Sequence, residues 1–352
     1  RCNVSSTQPP GRSGTTMRAI SFAVLLVTVA GIGLYLDRNR EVYDKLWVIP
    51  VWSVLPLFFL GLLTLATNGL YLKIFARKFD LKLRAREWFG LAAVTAMGNY
   101  LTPLSGGLMA RAAYLKHRHE FPYSRFLVML AANYLIAFAV IGVAGTIAML
   151  TRIGTGGFSW VVFLLFASTA LAMPLVLVLP CGRKVCDCRV LRFIQSAREG
   201  LDVIRRDGTL LWKLVVLTLW NVSIGAALYF AAFRTIGVPV PFGLALLIHL
   251  LTSFTVLLNI TPGNLGVQEI VTAVAAALLG AGAETGLLAA LIVRAVTILC
   301  AFALGPIFSY VLSRELFAWR TVSRTGGESR RVESCRGSRA CASARDRDGA
   351  DG

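Results

Sequence analysis

The sequence predicts an all-α, polytopic integral membrane protein with six membrane-crossing helices and two oppositely oriented re-entrant helical hairpins. The first observation is composition: 56% of the 352 residues are hydrophobic and only 15% are charged, whereas soluble domains carry about 25% charged residues. The second is the presence of apolar runs about 20 residues long, the length that a helix needs to cross a bilayer. The third is the placement of basic residues between those runs. Together they exclude a water-soluble enzyme and, for most of the chain, intrinsic disorder.

Eight apolar runs are separated by polar breaks. They cover residues 18–36, 46–72, 88–115, 126–150, 158–179, 211–236, 242–280 and 286–312. We expect all of them to be helical, because a backbone exposed to lipid must satisfy its own hydrogen bonds. The alternating pattern typical of membrane barrel strands is absent.

Basic residues orient these runs. They cluster in residues 73–87, 111–125 and 181–210 and in the C-terminal tail, whereas the short connections 151–157, 237–241 and 281–285 contain only Arg152. The positive-inside rule therefore makes the first group, and both chain termini, cytoplasmic. The net charge of +18 is explained by this topology and by contact with anionic lipid headgroups, so we expect no nucleic-acid partner.

Two of the runs cannot cross the membrane once, because both flanks of each lie on the same predicted side. Residues 88–115 are broken at Thr102-Pro103-Leu104-Ser105-Gly106-Gly107, and residues 242–280 at Thr261-Pro262-Gly263-Asn264-Leu265-Gly266. Proline removes a helix donor and glycine supplies flexible backbone. We predict re-entrant hairpins, the first entering from the cytoplasm and the second from outside. The predicted helix-break residues are Thr102, Pro103, Gly106, Gly107, Thr261, Pro262, Gly263 and Gly266.

The two breaks resemble each other. An asparagine, Asn99 or Asn259, precedes each Thr-Pro pair, a glycine follows each proline by four residues, and a charged residue, Arg111 or Glu269, comes soon after. Similar helix breaks that enter from opposite faces predict an inverted repeat. In transporters such a repeat places the binding site at mid-membrane between broken helices.

Ionisable and amide side chains near these breaks are the candidate site residues. The predicted contacts of a lipid headgroup are Arg111, Glu269, Arg294, Asn99, Asn259 and Asn264. An ionisable group inside a membrane span is a functional candidate because it needs a cavity or a partner. The alternatives are a structural Glu269–Arg294 ion pair, an interfacial Arg111 that snorkels to the surface, and interhelical hydrogen bonds for the amides.

The remaining features set domain limits and exclude some chemistry. We expect residues 1–16 to be a disordered N-terminal extension, residues 17–314 to form the membrane domain, and residues 315–352 to be a disordered basic cytoplasmic tail. The seven cysteines are scattered, and the cluster at residues 181–188 lacks a zinc spacing, so no metal is predicted. No catalytic or cofactor-binding motif occurs, which predicts a protein without catalytic residues or cofactor.

The segment Pro262-Gly263-Asn264-Leu265-Gly266-Val267-Gln268-Glu269 resembles the P-G-x-x-G-x-x-E signature of the lysylphosphatidylglycerol synthase transmembrane-region family. Residues 102–107 followed by Arg111-Ala112-Ala113-Tyr114-Leu115 resemble that family's earlier motif. The resemblance covers residues 18–314 and implies a flippase-like membrane domain, which in this family is associated with moving aminoacylated phospholipid between leaflets. In longer members the domain precedes an aminoacyl-tRNA-dependent lipid transferase. Residues 315–352 do not resemble that transferase, so lysyl transfer is not implied.

Three functions remain open at this point. The first is translocation of a phospholipid or polyprenyl-phosphate-linked lipid across a plasma membrane, with an anionic phospholipid or polyprenyl phosphate as the partner. The second is a non-catalytic membrane subunit of a lipid-modifying or glycosyl-transferring enzyme, which would co-purify with a membrane-bound transferase. The third is a small-solute or ion transporter that shares the inverted-repeat arrangement.

Overall fold

The computed structural model describes residues 51–102, 105–154, 158–178, 207–258 and 261–345, with side chains in the last helix described as far as Glu315. The predicted span 18–36, the cysteine cluster at 181–188 and the two predicted site residues Pro103 and Asn259 lie outside these ranges. Every regular element within them is helical. The all-α prediction is therefore confirmed for the described chain.

Nine α-helices run through the described residues. They are α1 Val51–Lys78, α2 Ala85–Leu101, α3 Gly106–His119, α4 Tyr123–Leu150, α5 Trp160–Val178, α6 Gly208–Thr235, α7 Phe242–Ser253, α8 Val267–Leu278 and α9 Ala283–Arg345. Two 3₁₀ segments, Phe254–Leu258 and Pro262–Asn264, lie between α7 and α8. The backbone of α9 continues into residues 315–345, where the composition predicts disorder.

Four helices are long and apolar enough to cross a membrane: Val54–Lys78, Tyr123–Leu150, Gly208–Thr235 and Ala283–Glu315. Each matches one predicted crossing run. The apolar part of α5, Trp160–Leu175, is shorter. The prediction of a membrane protein with several spanning helices is confirmed, while the number of six crossings stays a prediction.

Large apolar side chains cover the outside of the bundle, as a lipid-facing surface requires. Trp52, Trp160 and Trp212 are 80%, 69% and 68% exposed. An exposed apolar surface of this kind is not tolerated by a protein surrounded by water. Inside, apolar cores lie between the helices, and α4 meets α5 so closely that a Cβ on Gly142 would strike the backbone of Ala170.

Helices α2 and α3 form an antiparallel hairpin. At its tip a Cβ on Gly98 would lie 2.8 Å from the Gly107 Cα. Toward its open end the Arg111 Nε donates to the Thr95 Oγ1 at 2.9 Å. At the open end itself the His119 Nε2 lies 3.3 Å from the Glu87 Oε1. Helix α2 has 17 residues and α3 has 14, so neither exceeds about 26 Å.

A second interrupted pair follows α6. Helix α7 has 12 residues, α8 also has 12, and the two 3₁₀ segments separate them. Backbone φ angles of +59° at Gly263 and at Asn264, and of +86° at Gly266, turn the chain here. A positive φ costs glycine almost nothing and is tolerated by asparagine better than by most residues. The turn is therefore encoded by the residue types at these three positions.

Candidate functional site

A cavity of about 480 Å³ lies between the helix bundle and the two interrupted pairs. Its wall is contributed by α1, α2, α4, α6, α7, α8, α9 and the 3₁₀ segments. Pockets that bind small molecules usually have volumes of roughly 300–1,000 Å³. The cavity therefore has room for a ligand of headgroup size.

Carboxamides define the chemistry of this wall. All five asparagines of the described residues, and their one glutamine, line the cavity: Asn68, Asn99, Asn133, Asn221, Asn264 and Gln268. They come from six separate elements of the fold. Carboxamides that only formed hydrogen bonds between pairs of neighbouring helices would be distributed over the bundle. Because these side chains all line one cavity, they make it a polar chamber.

Three carboxamide oxygens on this wall lack a donor. The Oδ1 atoms of Asn99, Asn221 and Asn264 are buried and accept no hydrogen bond from the described protein. A buried acceptor without a partner costs about 1–3 kcal/mol. Since these oxygens are buried even though their residues line the cavity, a donor in the cavity reaches them only if the side chains rotate.

Arg294 of α9 lines the same cavity, but its guanidinium is fully engaged by the protein. The Nε donates to the Glu269 Oε1 at 2.6 Å. The two Nη atoms donate to the Gly263 and Asn264 carbonyls at 2.7 and 3.2 Å, to the Gln268 Oε1 at 2.9 Å and to the Tyr100 hydroxyl at 3.4 Å. Since a guanidinium has five N–H groups, this geometry leaves none for a ligand.

Glu269 is equally committed. Its Oε1 accepts from Arg294, and its Oε2 accepts from the Gly266 N–H at 2.7 Å, which caps the start of α8. The side chain is 2% exposed and does not line the cavity. The structure thus brings two predicted site residues together as an ion pair that joins α9 to the second break.

Tyr100, at the end of α2, connects the two breaks. Its ring lies against Gly263, where a Cβ would collide with it. The Tyr100 hydroxyl is 3.0 Å from the Thr297 Oγ1 of α9 and also accepts from Arg294. Glycine at 263 is therefore required for the close approach as well as for the positive φ.

Arg111 has a different environment from Arg294. Its Nε donates to the Thr95 Oγ1, and within the described residues no carboxylate pairs with it. It lies one turn along α3 from Gly107, which packs against Asn99. It also interacts electrostatically with Tyr134, a residue of the cavity wall. Arg111 is thus a half-buried cation beside a residue of the cavity wall, and among the described residues its Nη atoms have no hydrogen-bond partner.

The remaining predicted break residues occupy the two turns. Thr102 follows α2 and its hydroxyl donates to the Gly98 carbonyl at 2.6 Å, while Gly106 opens α3. In the second turn Thr261 donates to the Leu265 carbonyl at 2.8 Å, and Pro262 begins a 3₁₀ segment.

Asn68, Asn133, Asn221 and His249 are not among the predicted site residues, but all four line the cavity. Sequence reasoning did not assign a role to Tyr71, Tyr100 or Tyr134, which also line it. The sequence does contain a signal for three of these residues, because Asn68, Asn133 and Asn221 are each the single asparagine of a largely apolar run. Among the described residues no group of His, Cys, Asp and Glu is arranged to hold a metal ion.

Comparison with known proteins gives one match. The family model described as Lysylphosphatidylglycerol synthase TM region matches residues 18–305. That range contains every residue that lines the cavity. The comparisons with curated proteins and with solved structures found no match.

Proposed function

This chain belongs to the lysylphosphatidylglycerol synthase transmembrane-region family, and from that membership and the carboxamide-lined cavity we propose that it translocates a phosphate-bearing lipid between leaflets. The family makes it a membrane protein of lipid metabolism or transport. The carrying observation is that all the described carboxamides converge on one chamber, three of them with unpartnered oxygens. Such groups are costly in a membrane interior unless a polar ligand or water meets them.

The geometry supports hairpins that enter from opposite faces. Lys78, at the end of α1, pairs with Asp207, which caps the start of α6, at 2.7 Å, so these two ends share one face. Helix α6 has 28 residues, about 42 Å, and its other end therefore reaches the opposite face. The hairpin α2–α3 follows α1 on the first face, the pair α7–α8 follows α6 on the second, and Tyr100 meets Gly263 between them.

We extend this arrangement to the whole domain as six crossing helices and an inverted repeat in a plasma membrane. The face that carries Lys78 and Asp207 is rich in Lys and Arg in the sequence, which supports cytoplasmic termini by the positive-inside rule. The cavity then lies at the level where the hairpin tips meet. This is the position of the substrate in transporters built from inverted repeats.

The two arginines take different roles in the proposal. Arg111, whose Nη donors have no partner among the described residues, binds the lipid phosphate, for which arginine is well suited. Arg294 and Glu269 hold the second break against α9 and shape the wall from behind. Asn99 and Asn264 face the headgroup from the two breaks.

The test is lipid movement in liposomes that contain the purified full chain. A fluorescent phosphatidylglycerol is placed in both leaflets, and the fraction that becomes accessible to an impermeant quencher is followed in time. We expect Arg111→Gln to slow movement by about 10- to 150-fold, since hydrogen bonds to charged groups contribute about 1.5–3 kcal/mol. Arg111→Lys keeps the charge and loses the planar guanidinium fork. Its rate of lipid movement should fall between the rates of the wild type and of Arg111→Gln.

Arg125→Gln is the matched control, because Arg125 is an exposed arginine at the start of α4 that lies over the Phe79 ring. It should leave the rate unchanged. Equal rates for wild type and Arg111→Gln, at equal protein content, would contradict the assignment of Arg111. If the wild-type protein moves no lipid and instead co-purifies with a transferase, the accessory-subunit function replaces the proposed one.

A further inference from the structure

We infer that the cavity selects a phospholipid whose headgroup alcohol is uncharged and rich in hydroxyl groups, and that it discriminates against a cationic, aminoacylated headgroup. The inference rests on the proposed function for the presence of a lipid. It goes further by naming the chemistry of the headgroup. Three features carry it: the carboxamide and hydroxyl lining, the absence of a carboxylate among the described lining residues, and the position of Arg111 beside the cavity.

The wall is lined mainly by neutral hydrogen-bonding groups. Six carboxamides reach it from six elements of the fold, together with tyrosine, threonine and serine hydroxyls. The group that enters the chamber must therefore form hydrogen bonds with neutral partners, which hydroxyls do as donors and acceptors and an ammonium does as a donor.

Charge separates those two possibilities. Among the described residues of the wall there is no aspartate or glutamate. The charged group on it is Arg294, a cation, and the carboxylate that balances it, Glu269, lies behind the wall. An ammonium here would meet a like charge and no counter-ion in a region of low dielectric, which is strongly unfavourable. Hydroxyl groups donate to the same oxygens without that cost.

The rest of the lining fits a polyhydroxylated ligand. Besides the carboxamides, the wall offers tyrosine and threonine hydroxyls and the His249 imidazole. Hydroxyls and carboxamides can each donate and accept, as sugar and polyol hydroxyls also do. The carboxamides come from six elements of the fold, so a headgroup with several hydroxyls can meet them from several directions.

Arg111 then fixes the position of the phosphate. Its partner Thr95 precedes Asn99 by four residues on α2, one helical turn or about 5.4 Å along the axis. A phosphate at Arg111 would thus be one turn from the Asn99 amide. That spacing places the phosphate at the cavity edge and the attached polyol inside.

Direct binding to the full chain in lipid nanodiscs tests the selection separately from transport. The probes are short-chain phosphatidylinositol, phosphatidylglycerol and lysyl-phosphatidylglycerol with identical acyl chains. We expect phosphatidylinositol to bind at least tenfold more tightly than lysyl-phosphatidylglycerol. Free inositol and free inositol phosphate are tested as competitors of phosphatidylinositol binding. If either competes as strongly as the lipid itself, the site binds soluble polyols and not a lipid.

Asn221→Asp provides the sharper measurement, because it places one carboxylate on the wall with almost no change in shape. It should shift the preference toward lysyl-phosphatidylglycerol by at least tenfold. Thr209→Asp adds the same charge to an exposed position at the start of the same helix and should leave the preference unchanged. If Asn221→Asp fails to fold, Asn99→Asp on α2 makes the same test.

The outcomes separate the two proposals. Equal binding of the inositol and lysyl lipids by the wild type, or no shift in a folded Asp variant, overturns the inference on the headgroup. Selective binding without any lipid movement in liposomes supports this inference and overturns translocation. Movement of lipids without selection among headgroups supports translocation and overturns the inference.

Discussion

Removing the charge of Glu269 is expected to leave the Arg294 guanidinium buried without a counter-ion. Arg294 is 7% exposed and Glu269 is 2% exposed, so water cannot replace the lost partner well. Breaking a buried pair by removing one member costs about 3–5 kcal/mol. We expect a loss of that size for Glu269→Gln. The loss should appear as a lower unfolding temperature in detergent.

Arg294→Gln should cost at least as much, because Arg294 also supplies donors to the Gly263 and Asn264 carbonyls. A carbonyl left without a donor costs about 1–3 kcal/mol, although water from the adjoining cavity reduces that cost. The double variant removes both charges together. Adding Glu269→Gln to the Arg294→Gln protein is therefore expected to raise its stability, giving a coupling energy of about 3 kcal/mol.

The decisive measurement is the full double-mutant cycle, with lipid movement determined for each variant per folded molecule. Effects that add to within about 0.5 kcal/mol would refute the view that Glu269 and Arg294 act as one unit. A double variant that folds but transports nothing would refute a purely structural role and return the pair to direct contact with the headgroup. A stable double variant with full activity would remove both residues from the site.

Three other predictions address topology, backbone and pH. In a cysteine-free background, single cysteines at Ser105 and Ala283 should react with impermeant reagents from opposite faces, and labelling from one face only would overturn the inverted arrangement. Gly263→Ala should lower the unfolding temperature, because the new Cβ collides with the Tyr100 ring at a positive φ; Gly243→Ala, which meets nothing within 4 Å, should be nearly neutral. Burial raises the pKa of the Glu87 carboxyl, but His119, the Arg84 N–H and the Tyr114 hydroxyl lower it by more, so the net shift is downward. The stability that Glu87 contributes is then present above its unfolded pKa of about 4.3 and is lost as the pH falls through the folded pKa. Glu87→Gln should therefore make the unfolding temperature depend less on pH in the acid range. The same pH profile of thermal unfolding for wild type and variant would refute this prediction.

The first helix break could be predicted from local chemistry. Residues 102–107 contain a proline and two glycines, and α2 ends at Leu101 while α3 begins at Gly106. Chain-local preferences decide this boundary, because proline cannot continue the hydrogen-bond ladder. The lengths of the apolar runs, by contrast, predicted the four helices that are long enough to cross a membrane.

The second break begins earlier than the sequence indicates. Helix α7 ends at Ser253, nine residues before Pro262 and without a glycine or proline at that point. The freed carbonyl of Thr255 accepts a hydrogen bond from the Asn264 Nδ2 at 2.8 Å, so a contact across the turn satisfies the backbone. A contact between residues nine apart in an irregular segment has no periodic signature in the sequence.

The convergence of Asn68, Asn133 and Asn221 was also beyond prediction. Each stands on a different long helix, and its direction depends on how that helix is rotated against its neighbours. The sequence shows one amide in each apolar run but not the rotation. The ion pair could be proposed from sequence, because Glu269 and Arg294 are buried ions that need partners. The saturation of Arg294 by backbone carbonyls could not, since those carbonyls become free only in the observed turn.

The contact of the Tyr100 ring with Gly263 would restrict any movement by which the cavity changes its access from one leaflet to the other. The ring touches the second turn, and its hydroxyl touches both Thr297 and Arg294 of α9. The tip of one hairpin is therefore tied to the tip of the other and to the helix that supports it. In the proposed translocation, neither hairpin tip could move away from the other without breaking the contacts of this ring, so substitution of Tyr100 is expected to uncouple the two tips.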